Sequence, residues 1–489
     1  MTLRIHTAAL LLTLFALGGC GVSGTPAAGD DGVASATALH RDGRWMVDGA
    51  NRVVLLHGLN AVWKLKPYYP PDSAEGFGVA DADWLRDHGF NAVRLGVLFA
   101  GVMPKQGVID PAYLDQIDRV VQLLAARHIW VLLDFHQDAY NEKFAGEGFP
   151  DWSVYDDGIP FVNTSSFFVN YLTPAVSHTF DNLWADKNGI WDQYAAAWTA
   201  VARRWRGQPY ILGYEIINEP SAGTQAVTCL GPTGCLLFDA TLQKFQEHVL
   251  DAIRTVDTTH LVWFEPQMLF QLPFGRGNFT HVDDPQVGFS WHNYACTGAF
   301  LNAYGLPSGP DCALDEPTVF SKAETQATAM GATSLLTEFG ATDDVSDIAR
   351  LVGLADTNLV GWLYWAYKTW HDPTTTGGGG AQSLFTSDSD LSTVKPDKLR
   401  VLQRTYPQVT AGTPLSLSFN PDTGEFHYRY TPDASAAPTE IYVPVALHYP
   451  KGYQATVSGA TVTSASGASE LTLQNLPGAS EVDVTITAN

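Results

Sequence analysis

Positive charge is scarce in this chain: 28 Lys and Arg stand against 51 Asp and Glu in 489 residues, a formal net charge of −23. So acidic a surface repels a phosphate backbone, which excludes nucleic acid as a partner. Cysteine is also rare, five in all, and no Cys-Xaa-Xaa-Cys or His-Xaa-Xaa-Xaa-His spacing accompanies it, so neither a metal nor a cofactor is expected. No Gly-Xaa-Gly-Xaa-Xaa-Gly follows the first apolar run, which removes the dinucleotide-binding reading. The Gly-Xaa-Ser-Xaa-Gly elbow of serine hydrolases is missing as well. What remains is rich in apolar residues (45%) and aromatics (12%, with 14 Trp), enough to bury large cores and to handle flat, partly apolar ligands.

The start of the chain reads as an export signal. Arg4 precedes an apolar run from Ala8 to Leu17, too short to span a bilayer, and Leu17-Gly18-Gly19-Cys20 resembles a bacterial lipobox. Residues 1–20 are thus expected to be a signal peptide with a lipid anchor at Cys20. Residues 21–38, rich in Gly, Ala, Ser and Thr, form a solvated tether. The protein is accordingly expected to be secreted or associated with the cell envelope. Four further cysteines, Cys229, Cys235, Cys296 and Cys312, allow three pairings, of which Cys229–Cys235 with Cys296–Cys312 staples two local loops.

Eight nearly continuous apolar runs follow: Val53 to Asn60, Asn91 to Gly96, Ile129 to Asp134, Ile211 to Asn218, Leu261 to Glu265, Val287 to Trp291, Ser334 to Glu338 and Gly361 to Trp365. Each suits a strand buried on both faces. Amphipathic stretches separate them; one begins at Asp110-Pro111, an N-cap with proline in the first turn, and continues through Leu114, Ile117, Val121 and Leu124. This alternation predicts a (β/α)8 TIM barrel over residues 39–408. From about Thr413 the texture changes to short alternating runs between turn residues, which predicts a small antiparallel β-sandwich over 409–489. The long aromatic stretch from Pro150 to Asn188 is expected to cover the active-site face of the barrel.

A barrel places its chemistry at the C-terminal ends of its strands. Those ends carry Arg94, Asp134 through Asp138, Asn218-Glu219, Glu265, His292 with Tyr294, Glu338 and Trp365. A retaining glycosidase needs one protonated acid at the leaving oxygen and one ionised carboxylate to attack the anomeric carbon. Glu219, after the fourth run, is the candidate acid/base, and Glu338, after the seventh, the candidate nucleophile. Asn218 is placed to bond the sugar 2-hydroxyl, Arg94 and Tyr294 to hold Glu338 ionised, His136 and His292 to line the subsite floor, and Trp365 to stack on a sugar ring. Glu265 competes for a catalytic role but reads better as a support. Asp134, His136 and Asp138 form a conceivable metal set, for which sugar-hydroxyl binding is the better use.

These residues, in this order, resemble glycoside hydrolase family 5 over roughly His57 to Trp370. Within it the words Asn91-Ala92-Val93-Arg94-Leu95-Gly96, Leu133-Asp134-Phe135-His136-Gln137-Asp138, Gly148-Phe149-Pro150-Asp151-Trp152 and Tyr364-Trp365-Ala366-Tyr367-Lys368 are similar to the endoglycoceramidases. The resemblance implies hydrolysis of the bond between oligosaccharide and ceramide in glycosphingolipids, met in membranes or micelles; separately, a monomer is expected. It also implies that Asp138 and Asn218 contact the first sugar, together with a lysine, Lys64 or Lys66; the reading adopts Lys66. Two other functions compete: a family 5 endoglucanase or mannanase, which needs a long open cleft, and a non-catalytic glycolipid-binding lipoprotein, which has no need of two glutamates.

Overall fold

The computed structural model of the protein describes residues 38–231, 233–294, 312–374, 379–433 and 437–489. The expected signal peptide, Cys20, nearly all of the tether, and Cys296 lie outside these residues.

Eight parallel strands close into a barrel: β1 (His57–Ala61), β2 (Ala92–Val97), β3 (Trp130–Phe135), β4 (Ile211–Glu215), β5 (Leu261–Phe264), β6 (Val287–Asn293), β7 (Thr333–Phe339) and β8 (Gly361–Tyr364). Closure is made by β8 pairing in parallel with β1 through Trp362 and His57. Every residue of β2, β3 and β4 is buried, because helices cover the outside of the barrel and side chains fill its inside. The outer layer includes α1 (Val79–Asp87), α2 (Pro111–Ala125), α3 (Ile190–Trp205), α4 (Leu236–Arg254), α5 (Cys312–Met330) and α6 (Val345–Asn358). Helix α2 starts where the sequence predicts, with the Asp110 carboxylate accepting from the N–H groups of Ala112 and Tyr113 at 2.9 and 3.2 Å. Its stripe of Leu114, Ile117, Val121 and Leu124 is buried against the barrel. Cys229 and Cys235 form a disulfide just before α4. Cys312 is also disulfide-bonded, and its expected partner lies outside the described residues.

Two antiparallel sheets follow the barrel and share one apolar core that includes Phe426, Tyr428, Ile441, Leu473 and Val484. The first apolar run divides: Val53–Val54 belongs to the accessory sheet, and only His57–Ala61 enters the barrel. The short strands His40–Asp42 and Trp45–Val47 belong to the same accessory sheet, and Val54 pairs with Val409. The division at 408/409 therefore differs from the fold. Tyr406–Thr410 is one strand across that point; Val53–Val54 pairs with it, and Trp45–Val47 and His40–Asp42 add on in turn, because their exposed edges need partners that the closed barrel does not offer.

Candidate active site

Arg94 organises the mouth of the barrel. In β2 the side chains alternate, Val93 and Leu95 facing the outer helices while Ala92 faces the apolar floor of the barrel interior. Arg94 therefore stands on that floor, fully buried. A buried guanidinium is tolerated only if its donors are matched, and here they are. Nη1 donates to Glu338 Oε1 at 2.5 Å and Asn60 Oδ1 at 3.1 Å, Nη2 to Asn218 Oδ1 at 2.8 Å, and Nε to Glu215. Asp134 lies 3.1 Å from Nη2 and Glu265 3.9 Å. Burial works against the charge, but these carboxylates outweigh it and hold the guanidinium protonated.

The two candidate catalytic carboxyls come together above Arg94. Leu335 faces the barrel interior and Leu336 the outer core; a register shift between Leu336 and Glu338 then lets Glu338 look into the mouth while Phe339 returns to the outer core. Glu338 accepts from Arg94 and from the Tyr294 hydroxyl at 3.1 Å. Glu219 follows β4 with φ at +40°, a left-handed conformation costing a non-glycine residue about 1–3 kcal/mol. Its own N–H donates to Glu265 Oε1 at 3.0 Å, which helps hold that turn and gives Glu265 a supporting role. Oxygens of Glu219 and Glu338 and a ring nitrogen of His292 all lie within 4.8 Å of one another. Oxygens that close belong with the roughly 5–5.5 Å carboxyl spacing of retaining glycosidases rather than with an inverting pair, roughly 6.5–9.5 Å apart.

Their surroundings differ in the way the two roles require. Burial, then the negative charge of Asp138, pushes Glu219 up to about 7, so a large share of it still carries its proton in neutral solution, as an ordinary glutamate would not. Burial also raises Glu338, and the Arg94 guanidinium opposes that rise. The Arg94 guanidinium touches Glu338 directly and Glu219 not at all. His292 Nδ1 lies 2.9 Å from Glu219 Oε1 and 3.6 Å from Glu338 Oε2, and burial lowers the ring to about 4, leaving it neutral between the two acids.

A second cluster flanks the first. Buried Lys64 donates to Asp138 and to Thr374 Oγ1 at 2.8 Å, and its ammonium lies 3.0 Å from Asp372 and 3.7 Å from Glu147. The same ammonium sits 4.7 Å above the ring of Trp365, whose Nε1 donates to Gln382 Oε1 at 2.6 Å. Burial opposes the charge on His136, yet Asp134, 2.7 Å away, raises the ring to about 9. Its Nε2 has no hydrogen-bond partner among the described residues and lies 3.5 Å from Asp138. His136, Asp138 and Glu147 could together ligate a metal, but the Lys64 ammonium already stands among Asp138 and Glu147 as their cation. Asp134 likewise faces Arg94 and His136.

The structure brings Glu219, Glu338, Arg94, His136, Asp138, Asn218, His292, Tyr294 and Trp365 to one place. It does not bring Lys66, whose side chain is 65% exposed and pairs with Glu142 at 2.7 Å on the surface. The chain leaves the barrel after β1 and has turned into solvent by Lys66, so the buried lysine is Lys64. Asn218 is partly committed: Oδ1 accepts from Arg94 and one amide hydrogen goes to Gln137 O at 3.0 Å, leaving the other for a ligand. Sequence reasoning also passed over Glu215, Gln137 and Gln271. Glu215 could have been found as a charge inside an apolar strand, where it must have a partner. Gln137 ties the ends of β3 and β4 by donating to Asn218 O and Glu219 O at 2.8 and 3.1 Å, and Gln271 donates to Glu219 Oε1 at 3.3 Å. Neither carried a signal that spacing reveals.

Known proteins resemble this chain in sequence and in fold. The family model described as cellulase (glycosyl hydrolase family 5) matches residues 67–370, and the glycoside hydrolase family 5 C-terminal domain matches 404–487. Endoglycoceramidase I of Rhodococcus hoagii (strain 103S) is 36% identical over 444 residues, 89% of this chain and 86% of its own. Solved structures of endo-glycoceramidase II from Rhodococcus sp. superpose over 91% of this chain and 99% of theirs. The lactosyl-enzyme intermediate does so with a TM-score of 0.75 at 27% identity, and the ganglioside GM3 complex with 0.74 at 26%.

Proposed function

Because the chain belongs to glycosyl hydrolase family 5, we propose that it is a retaining endo-glycosidase that cleaves the β-glycosidic bond between oligosaccharide and ceramide in glycosphingolipids. The observation that carries the reading is the close pair Glu219 and Glu338, both raised by burial but only Glu338 held directly by the Arg94 guanidinium. Glu338 attacks the anomeric carbon as Glu219 gives its proton to the departing oxygen, so the sugar is left as an ester of Glu338 and ceramide leaves as an alcohol. Glu219, now a carboxylate, then takes a proton from water; the resulting attack on the anomeric carbon frees Glu338 and restores the acid. A relative trapped as a lactosyl-enzyme intermediate supports such a covalent stage. Arg94 and Tyr294 keep Glu338 ionised and aimed, and the remaining Asn218 N–H meets the 2-hydroxyl, where the contact strengthens as the oxocarbenium-like transition state forms. Lys64, His136 and Asp138 take the other hydroxyls of the first sugar, beside the ring of Trp365.

The lipid half of the substrate is supported by where apolar side chains are exposed. In the barrel the large exposed hydrophobics among the described residues are Leu65, Val79, Val108, Val162, Leu172, Val227, Leu236, Leu237, Phe274 and Leu314. They fall on loops that follow the strands or in the first turns of helices, the same face as the catalytic pair. Val227 and Leu237, 77% and 79% exposed, flank the Cys229–Cys235 staple. An apolar rim around a polar slot suits an enzyme that takes its substrate from a micelle or bilayer.

Mass spectrometry of the products tests the whole reading. With mixed glycosphingolipid micelles, intact oligosaccharide and free ceramide are expected, and no shortening of cellulose or mannan. Shortened polysaccharide without ceramide would keep the glutamates and remove the lipid. The export reading, with Cys20 lipidated at the cell envelope, is supported by the Arg4 to Cys20 pattern and by the disulfide, and the protein is expected to be a monomer. Intact mass of the protein purified from membranes, and its sedimentation in detergent, check both parts.

A further inference from the structure

We propose that Lys322, on helix α5 and outside the catalytic mouth, is a positioning residue for Glu219, acting through the loop that carries Gln271; this rests on Glu219 being the acid/base. After β5 the chain makes a 3-10 turn, Met268–Gln271. The Lys322 ammonium reaches over it and donates to three main-chain carbonyls, those of Phe270 at 2.6 Å, Leu272 at 2.5 Å and Gly275 at 2.9 Å. All of this nitrogen's hydrogen bonds go to this loop, and its three donors are complete only below about 7, to which burial and the Arg276 charge lower it. The first two carbonyls belong to the residues on either side of Gln271, so the lysine clamps the backbone that aims this side chain. Lys322 also lies 4.7 Å from the ring centroid of Phe270, which packs edge-on against Phe289 of β6.

Little else holds the far half of this loop. Met268 N–H donates to Pro220 O at 3.1 Å, anchoring its start beside Glu219. The backbone bonds of Phe270, Leu272 and Gly275 N–H are all local, to Gln267, Leu269 and Leu272. Gln271 is buried, and its Oε1 has no hydrogen-bond partner among the described residues, so the side chain is held at its donor end by Glu219 and at its backbone by Lys322.

The consequence falls on one oxygen. Gln271 Nε2 and His292 Nδ1 both meet Oε1 of Glu219, at 3.3 and 2.9 Å, which reserves Oε2 for the proton that goes to the leaving oxygen. A donor on the carboxylate favours its charged form, so Gln271 works against the burial that raises Glu219. Around Glu219 stand His292 from β6, Glu265 after β5, Glu338 from β7, Asp138 and His136 after β3, Arg94 from β2 and Lys64 after β1. Of the groups meeting Oε1, Gln271 alone is uncharged at every pH, so its loss moves the titration of Glu219 without adding or removing a charge.

The test compares Lys322→Met, Gln271→Leu and the double variant. Each is assayed across pH on glycosphingolipid micelles and on an aryl glycoside with an acidic phenol, which departs without help from an acid. On the glycolipid, kcat is expected to fall about tenfold in each single variant, within the 10²–10⁴-fold that acid catalysis contributes. The basic limb of kcat/KM should move upward. The double variant should lose no more than Gln271→Leu, and glycosylation by the aryl glycoside should stay within about twofold of wild type. Lys322→Arg, which keeps donors over the loop, should recover most of the loss and answers for Lys322→Met should that variant unfold. Equal losses on both substrates with an unmoved basic limb would make Lys322 merely structural and overturn the proposal, as would additive losses. Wild-type protein that cleaves neither substrate would instead overturn the glycosidase reading.

Discussion

Two buried cations flank the catalytic pair, and they are held by different kinds of structure. Arg94 rises from β2 and meets side chains that end or follow β3, β4, β5 and β7, so its partners are fixed by the closed barrel itself. Lys64 stands on the segment after β1 and meets Asp138, Glu147, Asp372 and Thr374, all on connecting segments. The first centre is therefore bound up with folding and with the nucleophile, while the second is free to be shaped around a ligand. Loops carried by a rigid barrel are where specificity varies between enzymes of one fold.

Substitutions can break this contrast. Glu338→Gln is expected to have the largest effect, a loss of about 10⁴-fold or more in turnover with glycolipid binding retained, measured by single-turnover kinetics and by equilibrium binding to micelles. Arg94→Met should come next. It leaves Glu338, Glu215 and Asp134 buried without their cation, which costs about 3–5 kcal/mol, read as a lowered denaturation midpoint together with lost activity. Lys64→Met should lower kcat/KM by about 10²-fold; it also strands the buried Asp138 and Asp372, but because these stand on loops the denaturation midpoint should fall less than in Arg94→Met. An equal loss of stability in the two variants would erase the distinction between the centres.

The pH profile sharpens the same contrast. Glu219 must be protonated to act, so kcat/KM should fall as pH rises through about 7. Because Lys64 lowers Glu219, Lys64→Met should move that limb upward. His136, held near 9 by Asp134, keeps its proton throughout that range and should add no limb of its own there. The smallest effect is expected at Lys66: its ion pair with Glu142 is on the surface, so Lys66→Met should keep kcat/KM within about twofold of wild type.

What was legible in the sequence follows the same line. Seven of the eight apolar runs coincide closely with barrel strands, because burial on both faces writes itself as a continuous apolar segment. Arg94, Glu219, His292 and Glu338 were found because a polar residue closing such a segment is conspicuous. Lys64 and Lys66 could not be separated, since loop residues carry no period and only the path of the chain decides which one is buried. Gln137, Gln271 and Gln382 were missed for a related reason: an uncharged amide in a loop looks the same whether it faces water or a catalytic carboxyl. The first run was read as one strand because Val53 to Asn60 is apolar throughout, and nothing in its composition marks the change of sheet at Leu55-Leu56.

That change of sheet makes the catalytic half inseparable from the rest. Val53 and Val54 pair with Thr410 and Val409, Leu55 N–H donates to Gln408 O at 3.2 Å, and two residues later the same chain is β1 of the barrel. The ring of His57, the first residue of that strand, lies stacked between Trp362 of β8 and Tyr406 of the accessory sheet. The seam that closes the barrel is thus clasped from outside by the last part of the chain. A fragment ending at residue 408 would leave the clasp half made, with a bare strand edge leading straight into the seam, so the two units should melt in one transition and resist being expressed apart.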